Sequence, residues 1–548
     1  MNLLRYLYRQ SNSLFLVAAL SAAISGVCSP ALIAVISEGS KAGLAPAEFA
    51  LKFFSLCLVL LLTRCISQIA MVHLTQNMVF EMRVNLSKKL LACRYKKLQM
   101  LGKSELMVIL TKDIEGFATA LQSTPRLVTD AIVVTACFCY LAWLSTTLFF
   151  ILLLSQLVCV SLYVSAARRP MKQFKEMRAK LNDLFANFRD LVEGSRELQL
   201  NKRRGQFFVD EVVAHDAGKF REVSIRSLSH FTVITNTGSM LLYLVIGLVL
   251  FVVPVWLPQR VDVLASVTLA LLYLVGPLSN LVNALPNFAQ VGIALARIQQ
   301  LDADLDDEGL QVSGADPFTS SGRPLLELRE VCHHYPGATE DRPFLLGPVN
   351  LTINQGEILF VIGGNGSGKT TLAMLLLGLY SPEAGDVTMN GVRVDQSNIE
   401  HYRQHFGAVF ADFHLFQHLL GIESADIEER ATYYIQKLGL EHKVRIDNQK
   451  FSTINLSSGQ RKRLALISAY LEDKPIYLFD EWAADQDPAF KRVFYTMLLP
   501  ELKAKGKTVI VISHDDAYFA HADRVVKLEE GRLDERHPAH AEREPSIA

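Results

Sequence analysis

Gly363-Gly364-Asn365-Gly366-Ser367-Gly368-Lys369-Thr370 is the stretch of this sequence whose chemistry is easiest to state. Its glycines let the backbone turn so that successive N–H groups face one anion. Lys369 adds positive charge that can reach β- and γ-phosphates, and the Thr370 hydroxyl can ligate Mg²⁺. The apolar run Ile358–Ile362 precedes it and the apolar stretch Leu372–Leu379 follows. Strand, turn and helix are therefore expected in that order, with the helix N-terminus adding partial positive charge. The pattern predicts a site for a nucleoside triphosphate. Two more apolar strands end in useful side chains. Ile476–Phe479 leads into Asp480-Glu481, where the first acid can hold Mg²⁺ and the second can polarise an attacking water. Thr508–Ile512 delivers Ser513-His514-Asp515, where an imidazole can sense the γ-phosphate.

Short β-rich runs alternate with helical ones around these residues, which predicts an α/β domain with a largely parallel sheet. The rest of the chain is of another kind. At 548 residues it is too long for one core. Formal net charge is zero, so nothing suggests nucleic acid as a partner. Mean hydropathy is +0.23, and the apolar excess lies in the first 290 residues. Seven of the eight cysteines precede residue 160, mostly inside apolar runs, and read as small core residues rather than a metal site or disulfide framework.

Six segments are long and apolar enough to cross a bilayer, which takes roughly 20 helical residues. They lie near Leu14–Ile36, Leu51–Val72, Leu127–Leu144, Thr147–Ala167, Phe231–Val253 and Val263–Leu285. The first is too long, and too soon followed by another, for a cleavable signal peptide. Basic residues crowd Arg83–Arg126 and Arg168–Arg226, whereas Ser37–Ala50, Ser145-Thr146 and Pro254–Asp262 are short and poor in them. Positive segments stay inside, so both termini and the two long connections are expected in the cytoplasm. Met82–Leu101 and Met171–Leu200 keep helical spacing, which predicts that the spans continue as helices beyond the bilayer. A soluble helical bundle is the alternative, and the charge asymmetry speaks against it. The boundaries expected are a membrane domain over 1–303, a linker over 304–324 rich in Asp, Gly, Ser and Pro, an ATPase domain over 325–535 and a disordered tail over 536–548.

Leu456-Ser457-Ser458-Gly459-Gln460 stands between the phosphate loop and the Asp480-Glu481 pair. With it, the chain resembles the ABC transporters, whose signature motif looks like Leu456–Gln460 with Ser458 where glycine is usual. The resemblance covers the whole chain: six α-helical spans followed by one α/β P-loop domain is the layout of an exporter half-transporter. It implies ATP and Mg²⁺ as cofactors. Gly363–Thr370, Thr371, Ser457, Ser458, Gly459, Gln460 and Asp487 are then expected around ATP, and Tyr335 against its adenine. Thr370 and Asp480 are expected at Mg²⁺, Glu481 as the catalytic carboxylate, and His514 as the switch histidine. One signature and one phosphate loop cannot complete both composite sites of such a transporter, so a second copy of the chain is the expected partner.

Two departures narrow the resemblance. Where most of these ATPases carry a glutamine touching Mg²⁺ and the membrane domain, the chain has Ala411, with Asp412 next to it as a further candidate at the metal. After the acid pair it reads Trp482-Ala483-Ala484-Asp485-Gln486-Asp487-Pro488. Together with Ser458 and Arg461–Leu464, these are similar to the cyclic-peptide exporter group. That group includes exporters of pyoverdine-type siderophore precursors, of syringomycin-like lipopeptides and of a lasso microcin. The resemblance implies ATP-driven export of a peptide across the inner membrane, with a lipid flippase or drug exporter of the same architecture as the alternative. A membrane ATPase that senses peptide without moving it is a reading of another class. The first span begins about a dozen residues from Met1, so the leader-trimming protease domain of bacteriocin exporters is not expected here.

Polar residues inside the spans are the candidates for a cargo path. Arg64 lies about 13 residues into the second span, roughly 20 Å deep at about 1.5 Å per residue, where a charge facing lipid is costly. Gln68 shares its face. Asn280, Asn283 and Asn287 form one stripe on the sixth span, either lining the pathway or joining helices. The run Thr232–Thr237 is a weaker candidate, because threonine often bonds back to its own helix.

Overall fold

A backbone in hydrocarbon must satisfy its own hydrogen bonds, so six long apolar segments in the first half of the chain lead to helices. The computed structural model describes residues 12–41, 47–256, 261–306, 314–319, 324–335, 344–422 and 426–536. Among them, six helices are long and apolar enough to cross a membrane. They belong to α1 (Asn12–Lys41), α2 (Ala47–Ala92), α3 (Ile114–Leu144), α4 (Thr146–Glu193), α5 (Ala214–Gly247, carried on to Trp256) and α6 (Val261–Asp306). Leu51, Phe54, Leu58, Leu61 and Leu62 of α2 are exposed, as suits a helix whose solvent is lipid. Cys65 and Cys139 are also exposed, so the expectation of core cysteines holds for Cys93 and Cys137 but not for these two.

Two compact units result, Met1–Lys88 with Ser104–Asp304 and Lys89–Lys103 with Leu305–Ala548. In the first, Ile33, Val133, Cys137, Leu141, Leu148, Leu152, Val245, Val267 and Leu274 form an apolar core shared by α1, α3, α4, α5 and α6. At its other end Asp113, 2% exposed, lies 3.4 Å from Arg178 of α4 and 3.8 Å from Arg297 of α6. Both expected helical continuations are interrupted. α2 stops at Ala92, Arg94 is extended (φ −61°, ψ 136°), and a separate short helix runs over Tyr95–Leu101. α4 stops at Glu193, and Gly194 separates it from Ser195–Leu200.

The second unit holds two main sheets. The strands are β1 (Leu326–Tyr335), β2 (Phe344–Ile353), β3 (Ile358–Ile362), β4 (Ala384–Met389), β5 (Val392–Arg393), β6 (Phe406–Val409), β7 (Ile446–Asp447), β8 (Lys450–Phe451), β9 (Ile476–Asp480), β10 (Thr508–Ile512), β11 (Arg524–Glu529) and β12 (Arg532–Arg536). An antiparallel sheet has the order β2-β1-β4-β5, and a six-stranded one the order β12-β11-β3-β10-β9-β6. In the latter β11, β3, β10, β9 and β6 are parallel neighbours. Both its faces are covered. Ile358 and Phe360 of β3 enter one apolar core and Leu359 and Val361 the other, and β9 and β10 alternate likewise. Burial on both faces is why these strands read as unbroken apolar runs.

Three pieces of this unit come from outside the expected 325–535. Within 304–324, residues 314–319 pack into the ATPase core: Phe318 is 1% exposed against Tyr402 and His405, and Asp316 lies 2.9 Å from His405. From the first half of the chain, the helix Tyr95–Leu101 belongs here too. Gln99 accepts from the Tyr380 hydroxyl at 2.7 Å, and Lys96 lies 3.4 Å from Glu383. Finally, β12 carries the sheet to Arg536. The expected tail beyond it lies outside the described residues, as do 307–313 and 320–323 of the expected linker.

Candidate functional site

Hydrogen-bond register assembles the site. Val361 of β3 pairs with Ile512 of β10, and Ile512 pairs with Asp480 of β9. The residues that follow these three therefore emerge side by side at the carboxyl edge of the parallel sheet, the usual place for a ligand in such sheets. Gly363 leaves β3 at φ +156°, and a Cβ there would sit 2.2 Å from the Leu528 carbonyl oxygen. Gly368 is left-handed at φ +101°, with a Cβ position 2.9 Å from the Phe344 ring. No other residue fits either place. The helix α7 (Lys369–Leu376) then starts at the lysine itself and ends three residues before the expected Leu379.

Lys369 is 6% exposed, and its Nζ donates to the carbonyls of Gly363 and Gly364 at 2.9 and 3.0 Å. Burial lowers its pKa, while the charges of Glu481 and Asp480 act the other way. The Ser367 Oγ is buried with no hydrogen-bond partner among the described residues. An unpaired donor, an ammonium and a turn of backbone N–H groups on one loop suit a phosphate. Asp480 is 3% exposed. Burial pushes its carboxyl up to about 6, Glu481 and Asp412 add to the rise, and Lys369 and Lys462 oppose it. A buried acid among acids fits a divalent cation, and the exposed Thr370, next after Lys369, puts a hydroxyl on the first turn of α7. Ala411 and Asp412 are both exposed, just past β6.

Glu481 has a left-handed backbone, φ +48°. Its N–H donates to the Ile512 carbonyl at 3.0 Å, and its Oε1 is 3.1 Å from His514 Nε2. The two residues expected at the γ-phosphate are thus in contact. Below them Ser513 bonds Tyr495, which also donates to Asp515, itself 2.6 Å from Lys491.

Ser457 caps the helix α8 (Ser458–Leu471) through a reciprocal box. Its Oγ accepts from the Gln460 N–H at 3.4 Å, and Gln460 Oε1 accepts from the Ser457 N–H at 3.3 Å. None of Ser457–Gln460 bonds to the phosphate loop among the described residues. They lie instead against the segment after Glu481. Gln486 Nε2 donates to the Gly459 carbonyl at 3.0 Å, and Arg463 donates to Gln486 at 3.0 Å and to Asp487 at 3.1 Å. Asp487, expected at ATP, accepts from the Phe490 N–H and caps α9 (Pro488–Val493). Tyr335 is the exposed last residue of β1.

Sequence reasoning missed Lys462, Arg463 and Gln486 as working residues. In the sequence Arg461–Leu464 and Trp482–Pro488 stand only as marks of a subgroup, and the structure joins them through Arg463 and Gln486. It also missed Asp130, a buried acid near the start of the third span. Asn280 Nδ2 donates to Asp130 at 3.0 Å, and Arg126 donates to Asn280 Oδ1 at 3.3 Å. Arg64 donates to Ser25 Oγ of α1 at 3.3 Å, and Gln68 is exposed. The side chains of Asn283 and Asn287 lie outside the described residues. Thr235 bonds back to Phe231 of its own helix.

Residues 346–484 match the family described as ABC transporter, and residues 13–278 match the ABC transporter transmembrane region. The chain is 34% identical to the ATP-binding protein SyrD of Pseudomonas syringae pv. syringae, covering 97% of this chain and 95% of that one. It is 26% identical to the ATP-dependent lipid A-core flippase of Pseudomonas aeruginosa, over 85% of this chain and 78% of the other. A probable syringafactin export ATP-binding/permease protein of Pseudomonas syringae pv. syringae is 31% identical over 38% of this chain and 34% of its own length. Among solved structures, a bacterial Atm1-family ABC exporter with ATP bound superimposes with a TM-score of 0.76 at 20% identity, over 97% of this chain and 95% of the other.

Proposed function

The chain belongs to the ABC transporters, as an ATP-hydrolysing half-transporter with one membrane region and one ATPase domain, and we propose that it exports an amphiphilic peptide as a homodimer. In this reading the ATPase domains lie in the cytoplasm beneath the inner membrane, and the cargo is a siderophore precursor or lipopeptide. The separation of the signature turn from the phosphate loop supports the dimer, because the serines of one copy are then free to meet a nucleotide on the other. The loop N–H groups and Lys369 bind the phosphates, and Tyr335 meets the adenine. Glu481 takes the proton of the attacking water while His514 holds its carboxylate in place. Thr370 and Asp480 would hold Mg²⁺, whose charge offsets that of the phosphates. Asp412 takes over part of the contact that glutamine makes elsewhere in the family.

The observation that carries the cargo reading is the polar group of Ser25, Arg64, Arg126, Asp130 and Asn280, drawn from four membrane helices. It holds two guanidinium groups and one carboxylate, so an anionic group on the cargo would balance it. A lipid phosphate would balance the same charges, and the likeness to the flippase favours that as the second reading. The test is ATP-driven uptake into inverted vesicles of an acylated peptide bearing a carboxylate. Uptake that needs ATP and fails in Arg64→Ala supports the peptide. Movement of phospholipid or lipid A between leaflets, with no peptide uptake, supports the flippase. Peptide-stimulated hydrolysis with neither movement identifies a sensor.

A further inference from the structure

Lys462 sits in the second turn of α8 and is 3% exposed. A buried ammonium must be paired and hydrogen-bonded. Its Nζ lies 2.8 Å from Asp485 Oδ2 and donates to the backbone carbonyl of Glu481 at 3.3 Å. The grip is returned one residue on, where Trp482 Nε1 donates to the Lys462 carbonyl at 2.9 Å. Trp482 is 1% exposed, its ring 4.4 Å from that of Phe494. Residues 481 and 482 are thus fastened from both directions to one residue of the helix.

The fastening falls where the backbone needs it. Glu481 carries a Cβ yet holds φ +48°, a conformation that side chains other than glycine's disfavour. Its carbonyl takes a second bond from the Ala484 N–H at 3.2 Å, which closes the turn that follows. An ion pair alone does not account for Lys462. The Asp485 side chain is 55% exposed and could be served by a lysine at the surface.

We propose that Lys462 is a positioning residue for Glu481, its ammonium holding the Glu481 carbonyl so that the carboxylate stays against His514. The signature turn Ser457–Gln460 opens the same helix, so a shift of that turn reaches Glu481 through one side chain. In a homodimer the signature turn of one copy faces the nucleotide of the other. Lys462 then lets a nucleotide bound at one composite site set the acid of the second. The proposal rests on the reading of Glu481 as the acid that takes the water's proton.

The test measures ATPase kinetics and binding of a fluorescent ATP analogue on the full-length protein in lipid vesicles. Lys462→Met should lower kcat about 10- to 100-fold, the scale expected of a small misplacement of a catalytic group, with KM and analogue binding within about twofold. Lys462→Arg keeps a donor and should recover most of the rate. Asp485→Asn leaves the ammonium on the carbonyl but removes its paired charge, so it should lower stability while kcat stays within about twofold. Trp482→Phe loosens the clamp from the other side while keeping an aromatic ring in the core. It should lower kcat several-fold at constant KM, and it serves if Lys462→Met does not fold. In a Glu481→Gln background Lys462→Met should cause no further loss of the residual turnover. A wild-type kcat in Lys462→Met, a matching rise in KM, or a full further loss in the Glu481→Gln background overturns the proposal. Wild-type turnover in Glu481→Gln itself overturns instead the role given to that acid.

Discussion

The strand tips and the polar group in the membrane are both built from residues far apart in sequence, yet they are held in different ways. At the strand tips, backbone ladders between β3, β10 and β9 bring Gly363, His514 and Glu481 together before any side chain acts. In the membrane domain Arg126 and Asp130 stand one turn apart on α3, and Asn280 of α6 reaches them only through side-chain bonds of 3.3 and 3.0 Å. Exchanging a side chain at the strand tips therefore leaves the strands that carry its neighbours where the ladders hold them. Removing Asn280 instead takes from the buried Asp130 the donor that serves it, and no backbone ladder replaces that bond.

The largest effect should come where chemistry and scaffold are separable. Glu481→Gln is expected to keep ATP bound while turnover falls about 10²- to 10⁴-fold, as for the loss of a general base. Equilibrium nucleotide binding beside a hydrolysis assay checks this. If binding collapses with turnover, the strand tips are not the rigid frame described. Lys369→Ala should fail one step earlier, at nucleotide binding.

Next in size is a test of coupling in the membrane. Asp130→Ala should destabilise the detergent-solubilised protein more than Asp130→Ala with Arg126→Ala, because the double variant removes the stranded charge as well. Contacting residues show interaction energies of about 0.5–3 kcal/mol, and a thermal-unfolding cycle would read them. Additive losses would mean that Asn280 does not link the two. A smaller effect is expected of Asp412→Ala, with basal hydrolysis kept and its stimulation by cargo reduced. Unchanged stimulation would make Asp412 a solvated loop acid.

The smallest effect concerns pH. His333 is 1% exposed, stacked on Tyr380 with ring centroids 5.1 Å apart, and its Nδ1 lies 3.1 Å from the Ser381 carbonyl. Burial lowers its pKa first, Lys96 and His334 add to that, and Glu383 and the Ser381 bond oppose it. The folded chain then binds fewer protons at this site than the unfolded one. The contribution is complete above the ordinary value of 6.5 and is lost as pH falls through the folded value. His333→Gln should flatten the fall in stability between neutral and mildly acid pH. An unaltered slope would place the sensitivity elsewhere.

The same contrast explains what could be read from the sequence. The phosphate loop, the acid pair and His514 each sit in a short run whose flanking strand is visible in the sequence, because burial on both faces demands unbroken apolar residues. Lys462 and Asp485 are separated by a whole helix and strand, and no local pattern announces that a lysine will bond a carbonyl. Asp130 stands near the start of a span, where an acid reads as part of the boundary. The break at Cys93-Arg94 was hidden for a further reason. Helical spacing continues on both sides, and only the docking of Tyr95–Leu101 onto Tyr380 and Glu383 makes the interruption necessary.

That docking has a consequence for how the protein is made. Gln99 and Tyr380 are bonded across 281 residues of chain. At a synthesis rate of about 5–20 residues per second, Gln99 leaves the ribosome roughly 15 to 60 seconds before its partner exists. By then the helices on either side of it have had time to enter the bilayer. The ATPase domain therefore does not finish folding as a separate C-terminal bead. Its last contacts wait for a segment made long before it, so the unit that hydrolyses ATP is complete only when Tyr380 meets Gln99.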